Sequence, residues 1–219
     1  MFANIQAVIF DCDGTLVDSE TLSIETLVAY GAEFGLRIEV EEAFTLFAGG
    51  QLENAVAEME RRIGESLPDD FIPTFRLRQA DAFRTRPVAE VDGASELLTE
   101  VNLPYCLASN APRKKISLNL ELTRLERFFD EEQRFSADDR KIYKPHPDLF
   151  EQAARYLQTH AANCAVVEDS PFGIDAGLAA GMCVFVYAPH GPPRFSSPEQ
   201  AERVHVIEHL SELEAFLCG

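Results

Sequence analysis

Four short runs do most to limit what this chain can fold into. They are QAVIFD (6–11), PYCLASN (104–110), CAVVED (164–169) and MCVFVY (182–187). Each is rich in β-branched or aromatic residues and apolar at successive positions, so both faces of the strand must be buried. A parallel sheet flanked by helices meets that demand. Helical patterns separate the runs, at 93–101, 113–122, 147–157 and 171–180. Pro147 and Pro171 stand where a first helical turn would begin, a place that tolerates proline. The β–α alternation predicts an α/β fold built on a doubly wound parallel sheet.

One segment departs from the alternation. Residues 19–86 read as successive amphipathic helices with no convincing strand. The expectation is a small inserted helical domain, with 1–18 and 87–219 forming the α/β core and hinges near 16–19 and 86–92. The stretch 188–198, rich in proline and glycine, reads as a loop.

The overall charge narrows the partners. With 37 Asp+Glu against 19 Lys+Arg, the formal net charge is −18. Such a field repels a phosphate polymer, so no nucleic acid is expected, and any anion site must be local. No apolar run is long enough to span a bilayer, so no membrane association is expected. The five cysteines include no CxxC pair; Cys12, Cys106, Cys164 and Cys183 lie in or beside the strand runs and read as small buried thiols. Together with an N-terminus that lacks a basic region followed by a long apolar stretch, they predict a reducing cytoplasm. The oligomeric state stays open, with a monomer favoured.

Polar groups gather at the ends of the predicted strands. Asp11 and Asp13 follow the first, Ser109 and Asn110 end the second, and Glu168 and Asp169 end the third; Lys144 lies just before a helix. Ligands of open parallel sheets bind at such strand ends. Asp11 and Asp13 are two apart, so in extended chain both lean to one side, and like charges that close need a proton or a cation between them. With Glu168 and Asp169 nearby, the set offers hard oxygen ligands that suit Mg²⁺ held together with waters and a substrate phosphate. The five histidines show no metal-binding spacing.

These residues carry a resemblance. Asp11-Cys12-Asp13-Gly14-Thr15, Ser109-Asn110, Lys144-Pro145 and Glu168-Asp169-Ser170, in that order, resemble the four motifs of the haloacid dehalogenase superfamily. The likeness is nearest to its phosphatase and β-phosphoglucomutase-like branch, and within that to the 6-phosphogluconate phosphatase type. It covers nearly the whole chain, with the helical insert similar to the family's small cap. The resemblance implies hydrolysis of a small phosphorylated metabolite, a sugar phosphate or sugar-acid phosphate, through an aspartyl-phosphate. Asp11 would be the nucleophile, Asp13 the acid and base, and Lys144 a cation on both the phosphate and Asp11. Gly14, Thr15, Ser109, Asn110 and Lys144 would bind phosphate. Mg²⁺ would be held by Asp11 and Asp169, by the Asp13 carbonyl, and by Glu168 directly or through water. The cap would shut the site to bulk water.

Other chemistries fit less well. A Cys12 nucleophile would want an arginine about six residues on, where Asp18 stands. Gly173, Gly177 and Gly181 are spaced by four and read as helix-packing positions, with no dinucleotide fingerprint. A dehalogenase is disfavoured because Asp13 is the residue that phosphoryl-transfer members add. Mutases of the family carry a histidine and an arginine where this chain has Ser23 and Leu52. A hexose-phosphate mutase and a non-enzymatic phosphosugar-binding module are the alternatives. Gly49 and Gly50 could form a tight loop over the site, Arg76 and Arg78 read first as solvated helix charges, and Phe44 and Phe47 as cap core.

Overall fold

The computed structural model describes residues 4–86, 88–189, 191, 195 and 198–218. The chain divides into two compact units, one formed by 1–18 with 89–219 and the other by 19–88. The expected boundary residue Pro87 and most of the expected 188–198 loop lie outside the described residues.

The first unit is α/β. Its sheet is built from β1 (Ala7–Phe10), β4 (Tyr105–Ser109), β5 (Arg134–Ser136), β6 (Cys164–Glu168), β7 (Cys183–Tyr187) and β8 (Val204–Ile207). All neighbours run parallel, in the order β5-β4-β1-β6-β7-β8. Around it come α5 (Ala94–Glu100), α6 (Arg113–Thr123), α7 (Asp148–Tyr156), α8 (Pro171–Ala179), α9 (Pro198–Ala201) and α10 (Glu214–Leu217). The doubly wound expectation therefore holds. All four apolar runs are strands, and every residue of β1 and β6 is buried. Ile9, Val166 and Val184 pack on one face against Leu149, Phe150 and Ala153 of α7 and Ile174 of α8.

The two edge strands, β5 and β8, were not legible in the sequence. Each is short and partly polar, RFS and VHVI, because an edge strand is not enclosed on both sides. A two-stranded antiparallel ribbon, β2 (Val17–Asp18) with β3 (Ala89–Glu90), also escaped the reading. It stands where the chain leaves and re-enters the α/β unit, with Val91 N–H donating to the Leu16 carbonyl at 2.9 Å.

The second unit holds α1 (Glu20–Ala32), α2 (Val40–Phe47), α3 (Leu52–Ile63) and α4 (Phe71–Thr85). Tyr30 stacks on Phe71 at 4.5 Å between ring centroids, within a cluster that includes Ile24, Leu27, Phe47, Met59 and Phe75. Phe47 is core as expected, but Phe44 is exposed, because the short α2 buries only Ala43 and Phe47. Arg78 pairs with Glu33 and lies over the Tyr30 ring at 4.1 Å, in keeping with its reading as a helix surface charge. Gly49 has a φ of +68° and donates its N–H to Glu20 Oε1 at 2.5 Å. Among the described residues no helix is long and apolar enough to cross a membrane.

The three glycines of 173–181 have separate tasks. Only Gly177 is a packing position: a Cβ there would meet Val184 Cγ2 at 2.8 Å and Val166 at 3.6 Å. Gly181 instead ends the α8 turn at a φ of +73° with open space around it. Gly177→Val should lower unfolding stability in urea by ~1–3 kcal/mol, the usual cost of overfilling a fixed helix–sheet contact. A variant as stable as the parent would show that α8 can back away from the sheet.

Candidate active site

The sheet order places β1 between β4 and β6, with successive strands departing in opposite directions. This is the switch point at which a crevice opens beyond the carboxyl ends of the strands. Asp11 leaves β1 there, with its N–H donating to the Val167 carbonyl at 2.9 Å. Ser109 closes β4 and Glu168 closes β6.

Lys144 joins two of these strand ends. Its ammonium lies 2.5 Å from Asp11 Oδ1 and 2.6 Å from Glu168 Oε1, and 4.8 Å from the Phe150 ring centroid. All three polar residues are buried, Lys144 to 2% exposure and Glu168 to 1%. Asn110 sets the approach, since its Oδ1 accepts the Lys144 backbone N–H at 2.9 Å. The peptide from Lys144 to Pro145 is cis.

One ammonium thus faces two buried carboxylates. Burial pushes the Asp11 carboxyl up to about 8, helped by Glu168 and Asp13 and opposed by Lys144. For Lys144, burial works to lower the pKa, but the attraction of Asp11 and Glu168 outweighs it and holds the ammonium above the ordinary lysine range. Cys12 is fully buried, and burial, then Asp13 and Asp11, pushes its thiol far up. It is a buried thiol in the turn after β1, not in the strand itself, and burial disfavours its thiolate.

Glu168 is braced from below. Its Oε2 accepts the N–H groups of Asp169 and Ser170, each at 2.8 Å, and the Ser170 hydroxyl at 3.0 Å. Ser170 also caps α8, its Oγ accepting Gly173 N–H at 3.1 Å. Gly173 is required for this arrangement: a Cβ there would stand 1.7 Å from Glu168 Oε1. Its expected part as a helix-packing glycine is corrected accordingly.

Asp169 lies over the turn after β1. Thr15 Oγ1 donates to its Oδ1 at 3.0 Å, and a Cβ on Gly14 would meet its Oδ2 at 2.1 Å. Gly14 has a φ of +85° and donates its N–H to the Val17 carbonyl at 2.8 Å. The Gly14 N–H and the Thr15 hydroxyl therefore shape the turn and fix a carboxylate. Ser109 similarly accepts Ala111 N–H at 3.0 Å, while Ser136 donates to the Ala111 carbonyl at 2.7 Å and pins the same turn.

Asp13 takes partners that the sequence reading missed. Lys115 Nζ lies 2.7 Å from its Oδ1, and Asn119 Nδ2 donates to that same oxygen at 2.6 Å. Both come from α6. Their spacing of four was visible and sets them on one helix face, but nothing in the sequence tied that face to Asp13.

Among the described residues no three His, Cys, Asp or Glu side chains form a metal-ligand group by themselves. The donor set still suits a magnesium ion. Asp11 and Asp169 supply hard oxygens, the Asp13 carbonyl could supply another, and Mg²⁺ keeps several positions for water and phosphate. The cradle that Gly14 leaves beside Asp169, and two buried carboxylates on one lysine, leave cationic charge to be accommodated.

The fold and this strand-end cluster define a doubly wound α/β protein whose carboxylates and one lysine meet at adjoining strand ends. Residues 8–187 match the model of the haloacid dehalogenase-like hydrolase family, and the chain belongs to that family. It is 33% identical to the 6-phosphogluconate phosphatase of Escherichia coli K12, over 96% of this chain and 94% of that one. Hexitol phosphatase A from the same organism is 28% identical, over 93% and 92% of the two chains. A crystal structure of a family hydrolase from Deinococcus radiodurans R1, with bound phosphate and sodium, superposes with a TM-score of 0.76 at 29% identity, covering 97% and 95%. The present chain is accordingly an enzyme of the phosphatase class.

The raised Asp11 carboxyl has a consequence for the metal-free protein. The fold binds that proton more tightly than the unfolded chain, whose carboxyl titrates near its ordinary value of 3.8. The group's contribution is therefore full below about pH 4 and is lost as pH rises toward about 8. Asp11→Asn removes the penalty and leaves Lys144 paired with Glu168. In EDTA, the melting temperature of the variant minus that of the wild type should grow from pH 5 to pH 8. A flat or shrinking difference would contradict this electrostatic account.

Proposed function

We propose that the chain hydrolyses a small phosphorylated metabolite, a sugar phosphate or sugar-acid phosphate, through an aspartyl-phosphate on Asp11, with Mg²⁺ as cofactor. The observation that carries the reading is Lys144 between Asp11 and Glu168 at adjoining strand ends. A nucleophilic carboxylate beside a fixed ammonium is what in-line attack on an anionic phosphoryl group needs. The relatives that act on 6-phosphogluconate and hexitol phosphates support a phosphorylated polyol or sugar acid as substrate.

In this reading an Asp11 oxygen bonds to phosphorus as the phosphorus–oxygen bond to the alcohol breaks. Asp13 passes its proton to the departing alkoxide. Asp13 then takes a proton from a water that attacks the same phosphorus, the bond to Asp11 breaks, and inorganic phosphate leaves. Lys144 offsets charge on Asp11 and on the phosphoryl oxygens throughout, held in register by Glu168 and by Asn110. Ser109 and Asn110 lie at the end of β4, where a hydroxyl and a backbone N–H can meet phosphate oxygens. Asp11, Asp169 and the Asp13 carbonyl would hold Mg²⁺, with Glu168 contributing through water. When bound, that ion supplies charge neutralisation on the carboxylates and the phosphoryl oxygens.

Hydrolysis is favoured over intramolecular phosphoryl transfer by Ser23. It stands where mutases carry a histidine, and its hydroxyl donates to the Ser19 carbonyl at 2.9 Å while accepting from Gln79 at 3.0 Å.

Asp11→Asn should reduce turnover of p-nitrophenyl phosphate and of phosphorylated sugar acids by at least ~10³-fold, with the folded circular-dichroism spectrum kept. EDTA should abolish wild-type turnover and Mg²⁺ should restore it. An Asp11→Asn protein that keeps most of its activity would remove the nucleophile from the scheme, and stoichiometric phosphosugar binding without turnover would remove the hydrolase.

A further inference from the structure

The Asp13 carboxylate is held from a helix. Lys115 and Asn119 of α6 both reach its Oδ1, at 2.7 and 2.6 Å. The ion pair is largely out of water, with side-chain exposures of 14% for Lys115 and 17% for Asp13. Asn119 is fully buried, so its amide has little freedom to serve elsewhere. Asp11, two residues away, makes its ion pair with Lys144 instead. The two neighbouring carboxylates are thus steered apart by separate cations on separate elements.

We infer that Lys115 and Asn119 are positioning residues for the Asp13 carboxylate, holding it in the orientation from which it exchanges a proton with the leaving alcohol and then with water. The inference rests on the reading of Asp13 as acid and base. Its chemical logic is geometric. A carboxyl that must deliver a proton to one oxygen and collect it from another in the same place cannot rotate freely between steps. Two donors on a single oxygen hold the plane of the group; one donor would leave it free to swing. The same helix begins just beyond the Ser109–Asn110 turn. One rigid element therefore sets the proposed proton donor relative to the proposed phosphate site.

The test uses leaving groups of different need. An alkyl phosphate expels a poorly stabilised alkoxide and requires protonation, whereas p-nitrophenyl phosphate expels a stable phenolate. Lys115→Met should lower kcat on 6-phosphogluconate by ~10- to 100-fold, within the range of acid–base assistance. KM should stay within about twofold, since ground-state binding is not changed. The pre-steady-state burst of p-nitrophenolate should keep a rate within about threefold of wild type, because that step needs no proton. Lys115→Arg should recover most of the lost kcat. Should Lys115→Met not fold, Asn119→Ser removes the other donor and carries the same expectation. A Lys115→Met enzyme with kcat within twofold of wild type, or one whose burst falls in parallel with its alkyl-phosphate turnover, would overturn the assignment. A wild type that turns over no phosphomonoester would defeat the hydrolase reading, and this one with it. An active wild type with an indifferent variant defeats this one alone.

Discussion

The structure around the site depends on one ammonium group shared by two buried carboxylates. Lys144 reaches Asp11 and Glu168, residues that end different strands, and it does so where almost no water remains. Removing Lys144 would leave two buried carboxyl groups without their cation, typically a loss of ~3–5 kcal/mol. The interaction also leaves an unbalanced negative charge, and this is the physical ground for expecting a divalent cation beside it.

Much of the surrounding architecture keeps these groups in position. Glu168 has its Oε2 satisfied by two backbone N–H groups and a hydroxyl, so its Oε1 is aimed at Lys144 with little freedom. Gly173 and Gly14 each vacate the space that a carboxylate occupies, the first for Glu168 and the second for Asp169. Ser170 serves both the brace and the cap of α8. The helix and the site therefore share a residue, and strand-end chemistry is tied to the folding of the element that follows.

The legible parts were those with a local cause. Strands buried on both faces must be apolar throughout, so β1, β4, β6 and β7 announced themselves. The edge strands β5 and β8 lack that requirement, and their three- and four-residue runs carried no pattern strong enough to read. Of the cluster, the acids were visible because they end or follow apolar strand runs, and Lys144 because it stands in a Lys-Pro pair before a helix. The supports were not. Lys115 and Asn119 looked like ordinary helix residues, and the hydrogen bond from the Thr15 hydroxyl to Asp169 had no local signal. Gly173 looked like part of a packing stripe because spacing alone cannot tell what a missing Cβ makes room for.

By itself the sequence determined the fold class, the strand ends that carry acids, and the order in which they occur along the chain. These follow from burial periodicity and from residue type, which are properties of short segments. Only the tertiary structure decided which partner each acid meets: Lys144 for Asp11 and Glu168, Lys115 for Asp13, the Thr15 hydroxyl for Asp169. Those pairings join residues from 24 to 154 positions apart. They are set by strand order and by the few ångströms of space that two glycines leave open, and neither quantity is written in any local stretch of the chain.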